Sequence, residues 1–332
     1  MSAVTPATPA PTTQAGRVHR TLTSRVASLL ALVIALLWTV PTLGLFISSI
    51  RSERHIKTTG WWEWFARPEF TLDNYRGVLS SSGDVNLSTF FINSLVITIP
   101  SVLFPIAFGA LAAYALSWME WRGRDWTFIL IFALQIVPIQ MALIPLLRLF
   151  SKGLDLGGLT LFPALHLQGP QQFATVWIAH TAFGLPLCIF LFHNFMSELP
   201  RELIEAARVD GADHARIFRS VALPLIVPAL ASFGIFQFLW VWNDLLVALI
   251  FAGGGPETAP LTVKLADMVG SKGEEWQLLT SGAFVAIGVP ITFGSGPPTT
   301  AVHSAGASGY RSNPCSGPTT ASVHLIWPVS AG

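Results

Sequence analysis

Five stretches of this chain, Val26–Ile50, Phe90–Trp118, Trp126–Phe150, Phe173–Phe195 and Leu225–Phe251, are apolar on all sides, and a sixth begins near Leu278. Crossing a hydrocarbon core about 30 Å thick takes about 20 such residues in a helix. β-Barrel strands would instead alternate apolar and polar positions over about ten residues, and these runs do not alternate. Charged residues make up only 11% of the chain, against roughly a quarter in soluble domains, so a water-facing globular surface cannot be built. The fold class that follows is all-α: a polytopic helical bundle in the cell membrane, in contact with lipid, with about six transmembrane helices.

Composition also excludes activities. A net charge of +1 and the absence of a run of like charges give no basis for nucleic-acid binding. Cys188 lies inside a span and Cys315 in the tail, so no disulfide framework is expected. His166, His180 and His193 lack the paired spacing of a metal site and read as packed or interfacial. Nucleotide hydrolysis of the P-loop type needs a Gly-Lys-Ser/Thr loop to hold phosphates, yet none of Lys57, Lys152, Lys264 and Lys272 follows a glycine. The chain is therefore expected to be no enzyme and to need no cofactor. An ion-coupled secondary transporter, the reading from another class, would show repeated halves with charged or broken helices at mid-membrane. No such repeat is visible.

Residues 1–25 read as a disordered cytoplasmic tail, because Ser2–Gln14 is rich in Pro, Thr and Ala and uncharged. The apolar run that follows is longer than the roughly 7–15 residues of a signal peptide, so a retained helix is expected. Arg17, Arg20 and Arg25 abut the first span, and the short loop after the second carries Arg122 and Arg124. Positive charge concentrates on the cytoplasmic side of short loops, which puts the N-terminus inside. Arg51–Thr89 then lies outside, with Trp61, Trp62 and Trp64 as interfacial anchors. Residues 196–224 become a cytoplasmic loop within a transmembrane domain spanning 26–293.

That loop has a pattern of its own. Pro200 suits a helix start, and Glu202 and Glu205 share the helix that follows. Gly211 permits a turn that a residue with a Cβ resists. A second helix from about Asp213 is amphipathic, with Ile217, Phe218 and Val221 directed to protein and Arg216 and Arg219 to water. Two short helices joined by a glycine make a knob on which a partner can dock.

Glu205-Ala206-Ala207, then Gly211, then Val221-Ala222-Leu223-Pro224 resembles the EAA loop of binding-protein-dependent ABC import permeases, with Val221 standing where Ile is usual. Phe70-Thr-Leu-Asp-Asn-Tyr75, Asn93-Ser94 and Trp240-Val-Trp-Asn-Asp-Leu245 are similar to the carbohydrate branch, near maltose and α-glucoside permeases of the second-subunit type. The resemblance covers roughly Val26–Pro290 and implies the type I importer permease fold. It further implies a sugar or oligosaccharide substrate, two copies of a separate ABC ATPase, a second homologous permease and an extracytoplasmic solute-binding protein. An importer of a non-sugar solute is the alternative. Glu205, Ala206, Ala207 and Gly211 take the coupling positions by this resemblance; Asp210 and Ala212 flank the turn, and Leu223 and Pro224 close the motif.

Sugars need hydrogen-bonding groups and aromatic faces. Within the spans the candidates for a transport path are Asn93, Gln237, Asn243 and Asp244, with Gln135, Gln140, Trp177, Trp240 and Trp242 as further polar and aromatic groups. A mid-bilayer Asp is costly, by about 2.5–3.5 kcal/mol, but Asn243 and Asp244 fall about 27 Å along a helix starting near Leu225, towards its outer end. They either pin that helix end or line the route. The sixth run, Leu278–Phe293, gives about 24 Å of helix, and from Gly294 to Gly332 the chain turns to Gly, Ala, Ser, Thr and Pro for 27 of 39 residues. Residues 294–332 are thus an atypical low-complexity tail, expected to follow a frameshift near Ile291 or else to be a genuine divergent tail, and translation of the other reading frames would decide between the two.

Overall fold

The computed structural model of the protein describes residues 14–80, 86–165, 169–271 and 276–294. The Pro-rich start of the chain, His166, Cys315 and the tail beyond Gly294 lie outside the described residues. Helix α1 spans Gln14–Ser49, and its part long and apolar enough to cross a membrane is Arg25–Ser49, matching the expected span Val26–Ile50, whereas the described part of the expected disordered tail is helical. The physical reason is cooperativity: extending an existing helix fixes one residue per hydrogen bond gained, whereas nucleation fixes several.

After α1 come α2 (Glu53–Thr58), a 3-10 turn at Trp61–Phe65 and α3 (Asp73–Leu79), which together cap the end of α1. Arg51, only 4% exposed, donates to the carbonyls of His55 and Gly60 at 3.2 and 3.0 Å and so ties the end of α2 and the turn after it to the end of α1. Asn74 Nδ2 donates to Ser49 O and Arg51 O at 3.0 and 2.7 Å and ties α3 to the same end. Trp61 lies against Gly44 of α1, where an added Cβ would come within 3.0 Å of its indole nitrogen.

Helices α4 (Leu87–Trp118) and α7 (Phe173–Ser197) form the most extensive pair in the fold. The third apolar run does not form one continuous helix. Instead α5 (Arg124–Leu134) and α6 (Ile139–Lys152) meet at a bend of 103°. Pro138 has no N–H to give the helix and pushes Val137 out of the α region, so the chain breaks where that dipeptide stands. Between α6 and α7 a hairpin, β1 (Leu154–Leu156) and β2 (Leu159–Phe162), turns on Gly157 and Gly158 with φ of 58° and 90°. Two glycines at positive φ are what a two-residue hairpin turn requires.

The coupling-loop candidate supplies α8 (Arg201–Val209), α9 (His214–Ile217), a π turn at Phe218–Ala222 and α10 (Leu223–Leu225). A bend of 71° then leads into α11 (Val227–Trp242), whose first turn holds Pro228. The fifth run is broken again after Trp242, and α12 (Leu246–Phe251) resumes it. Helices α13 (Leu261–Ser271) and α14 (Trp276–Gly294) follow. Among the described residues, three helices are long and apolar enough to cross a bilayer, or up to five when each bent pair counts as one span. At 19 residues, α14 is a short helix for that task.

Three apolar clusters hold the bundle. One joins the α4–α7 pair to the short helices of the loop after α7 through Ala113, Tyr114, Phe192, Met196, Ile204 and Ile217. A second joins α6, α7 and α12 through Leu143, Phe150, Val176 and Phe251. A third joins α3, α4, α11 and α13 through Val78, Phe90, Trp242 and Leu261. Exposed apolar side chains on α1, such as Leu37 and Trp38 at 69% and 77%, fit a helix whose solvent is lipid.

Candidate functional site

The loop between α7 and α11 is a firm knob, and its sequence pattern has a structural account. Helix α8 ends in a left-handed residue, Gly211, at φ +79°. Gly211 N–H donates to Arg208 O and Ala212 N–H to Ala207 O, both at 3.0 Å. That pair of bonds is a Schellman cap, which satisfies carbonyls the helix leaves open and brings the residues on either side together. Ala207 and Ala212 both pack against the first apolar cluster. Asp213 then accepts from Arg216 N–H at 2.8 Å and starts α9, the usual work of an N-cap carboxylate.

Ile204 and Ile217, each 1% exposed, anchor the knob to the bundle, and Phe218 and Val221 pack against the same cluster while Arg216 and Arg219 stay exposed. Tyr114 of α4 joins it further, with its hydroxyl 3.1 Å from His214 Nδ1. Arg208 donates to Trp118 O at 3.3 Å, at the last residue of α4. These two contacts join the knob to α4. Glu205, Ala206, Asp210 and Pro224 are exposed and Leu223 half-buried, so the motif divides into residues that build the turn and residues free to meet a partner. Beside α8 a polar cavity of about 800 Å³ has Glu205, Arg208, Arg201, Arg124 and Asp125 among its walls.

The four path candidates do not converge. Asn93 is buried and donates to Ala259 O at 3.0 Å, while neighbouring Ser94 accepts from Leu261 N–H at 2.8 Å. Both side chains hold the approach to α13 against α4. Replacing Asn93 by leucine would leave Ala259 O unpaired, which costs about 1–3 kcal/mol. A lower thermal midpoint with uptake falling only as protein level falls is the expected outcome; uptake lost at normal protein level would put Asn93 on the path.

Asn243 is exposed and its Nδ2 donates back to Leu239 O at 2.7 Å. Asp244 accepts from Val247 and Ala248 N–H at 3.3 and 2.9 Å, capping α12, and its carboxylate lies 3.7 Å from His180 Nε2. Its own carbonyl accepts from Thr262 at 2.6 Å. Of the two readings of Asp244, the helix-end pin is the one its contacts describe. Asp244→Ala is expected to lower stability by about 1 kcal/mol, the worth of a helix cap, and Asp244→Asn to recover most of it; thermal melts of the purified protein check both.

Gln237 alone of the four lines a large cavity of about 910 Å³, bounded by α5, α6, α7 and α11. Gln135, Gly184 and Trp240 share its walls. Sequence reasoning missed Gly184, the π turn, the hairpin and the α5–α6 break. The last was signalled by Val137-Pro138 within an apolar run.

Residues 105–295 match the model of a family described as binding-protein-dependent transport system inner membrane component. An osmoprotective compounds uptake permease protein of Synechocystis sp. is 49% identical over 264 residues, covering 78% of this chain and 83% of that protein. An α-glucoside transport system permease protein of Rhizobium meliloti is 48% identical over 224 residues, covering 68% of this chain and 56% of that protein. Among solved structures, a chain of a bacterial ABC transporter involved in the import of the acidic polysaccharide alginate superposes with a TM-score of 0.62. The match covers 89% of this chain and 100% of that one, at 16% identity, and it establishes a shared fold.

Proposed function

The chain belongs to the family of binding-protein-dependent transport system inner membrane components, and on that basis we propose that it is the permease subunit of an ATP-driven importer for a sugar or oligosaccharide. It is a multi-pass membrane protein whose N-terminus faces the cytoplasm. ATP is hydrolysed by a separate ABC subunit, present in two copies, and a second homologous permease completes the transmembrane assembly. An extracytoplasmic binding protein delivers the solute. The α-glucoside relative supports a sugar as that solute.

The observation that carries this reading is the Schellman-capped turn at Gly211. It holds the exposed Glu205 and Ala206 out from the bundle while Arg208 and His214 link the same knob to α4. Such an element can take up a closing motion on one side and pass it to a span on the other, which is what coupling nucleotide state to transport requires. The solute path runs along the cavity bounded by α5, α6, α7 and α11, with Gln237 on its wall.

The test is co-purification of the full assembly from cells carrying the surrounding transport genes, followed by ATPase assays with its binding protein. ATP hydrolysis stimulated by the sugar-loaded binding protein is expected. Isolation of the chain with no ATPase, or stimulation only by a non-sugar solute, would overturn the corresponding part.

A further inference from the structure

A third cavity, of about 750 Å³, lies between α4 and the arm formed by α9, α10 and α11. Its α4 wall is a stripe of Leu103, Ile106, Ala107, Ala110, Leu111 and Tyr114, the spacing of one helix face. The opposite wall turns a corner, with Phe218 and Leu223 before the 71° bend and Leu230 after it. From Leu103 to Met119 the groove runs about 24 Å along the chain of α4, most of the depth of a hydrocarbon core about 30 Å thick.

Polar and apolar groups are separated along this groove. From Leu103 to Leu111 its α4 wall is apolar throughout. The polar groups gather at the other end, where the Tyr114 hydroxyl meets His214. Arg219 belongs to the same end, because the ring of its neighbour Phe218 has its centroid 5.3 Å from that of Tyr114. Arg219 is exposed, and the lining residues include no carboxylate. Glu120 and Asp213 stand next to lining residues, but Glu120 borders the polar cavity beside α8 and Asp213 caps α9. The polar end is also the end of α4 after which Trp121 and Trp126 are exposed, and such side chains mark a membrane–water boundary. Leu103, Phe108 and Leu111 are exposed as well, so the groove is continuous with a surface whose solvent is lipid. An apolar trough of bilayer depth with a cation at its boundary end matches an amphiphile with a negative head, whereas a small polar solute would leave the trough unfilled.

We propose that this groove binds one anionic phospholipid of the cytoplasmic leaflet, with an acyl chain along α4 and the phosphate at Arg219. The choice of leaflet rests on the permease reading, in which the knob is cytoplasmic; the chemistry of the groove does not. Basic pockets between spans on that side of a membrane suit anionic headgroups. The head lies beside the Tyr114–His214 contact that joins the knob to α4. The bound lipid therefore braces that joint, and coupling through the knob depends on it.

The experiment uses the complete importer, with phosphatidylglycerol as the anionic probe and phosphatidylcholine of the same chains as the neutral one. Native mass spectrometry is expected to find phosphatidylglycerol retained several-fold over phosphatidylcholine. Arg219→Gln is expected to lower the number of retained phosphatidylglycerol molecules by one. Arg216→Gln, which removes the same charge from an exposed residue outside the groove, is expected to leave it unchanged. Equal loss in both variants, or loss in neither, would overturn the site. A second measurement needs no variant: phosphatidylglycerol with a diazirine in its acyl chain is expected to label α4 between Leu103 and Leu111 several-fold more than the choline analogue. Equal labelling, or labelling of the chain alone that is lost in the complete importer because the second permease fills the groove, would overturn it too. ATP hydrolysis stimulated by the loaded binding protein is expected to fall several-fold in nanodiscs of phosphatidylcholine alone; an unaltered rate would overturn the bracing role. Preferential labelling of a chain that brings no ATPase with it would uphold the groove and overturn the permease reading, so the two fail separately.

Discussion

Replacing Gly211 by valine is expected to cut ATP hydrolysis stimulated by the loaded binding protein about tenfold or more, while the permease still inserts in the membrane. Nothing lies within 4 Å of where a Cβ would stand, so crowding is not the cause. The cause is the backbone: at φ +79° an ordinary L-residue pays about 1–2 kcal/mol, and a β-branched one more. The Schellman bonds that turn α8 into α9 would be lost first, and with them the presentation of Glu205 and Ala206. Asparagine tolerates the left-handed region better than other residues with a Cβ, so Gly211→Asn is expected to retain most coupling. Glu205→Lys acts by a different route, reversing a charge on an exposed face without touching the turn. Where a partner surface is complementary to Glu205, the reversed charge meets like charge, which costs several kcal/mol and again predicts a loss of at least about tenfold. Normal stimulation in both Gly211→Val and Glu205→Lys would remove the coupling role from this loop.

The second large effect is expected at Gly109, where α4 packs tightly on α7. An added Cβ there would lie 2.4 Å from Cys188 Sγ and 3.2 Å from Cys188 Cβ. Cys188 is itself fully buried and its thiol donates to Pro105 O at 3.1 Å, so it has little freedom to retreat. Membrane helices associate through such small-residue contacts because lipid provides no hydrophobic drive between them. Gly109→Val would wedge the most extensive helix pair of the fold apart. Overpacking of this kind costs about 1–3 kcal/mol and occasionally more, enough to prevent a folded permease from accumulating. Gly109→Ala is expected to be milder, and the double variant Gly109→Ala, Cys188→Ala to regain part of the loss, because the nearest clash is with the sulfur. Detergent-solubilised yield and melting temperature of wild type, Gly109→Ala, Cys188→Ala and the double variant give the coupling directly. An equal yield for wild type and Gly109→Val would show that the two helices do not meet here.

Much of this architecture is legible in the residues. A chain with 11% charge and repeated apolar runs has only the bilayer as a solvent for its surface, and so helices were the expected answer. Gly211 between two amphipathic segments marks a left-handed turn whatever surrounds it, since the constraint is local to one residue's φ. The Pro138 and Pro228 breaks are equally local, although the unbroken hydropathy around them hid both.

What only the tertiary structure decided is where each polar side chain in a span points. Asn93 and Gln237 look alike as isolated amides in apolar runs, yet one is consumed by Ala259 O and the other keeps an unpaired oxygen at a cavity wall. Asp244 reads from sequence as either a helix-end pin or a path residue, and only the structure puts the N–H groups of Val247 and Ala248 on its carboxylate. In a water-soluble helix the polar face announces which side is buried. In a span, lipid-facing and protein-facing positions are both apolar, so hydropathy carries no sidedness. The partner of a buried amide is then set by which helix lies opposite it, and that is a property of the assembled bundle.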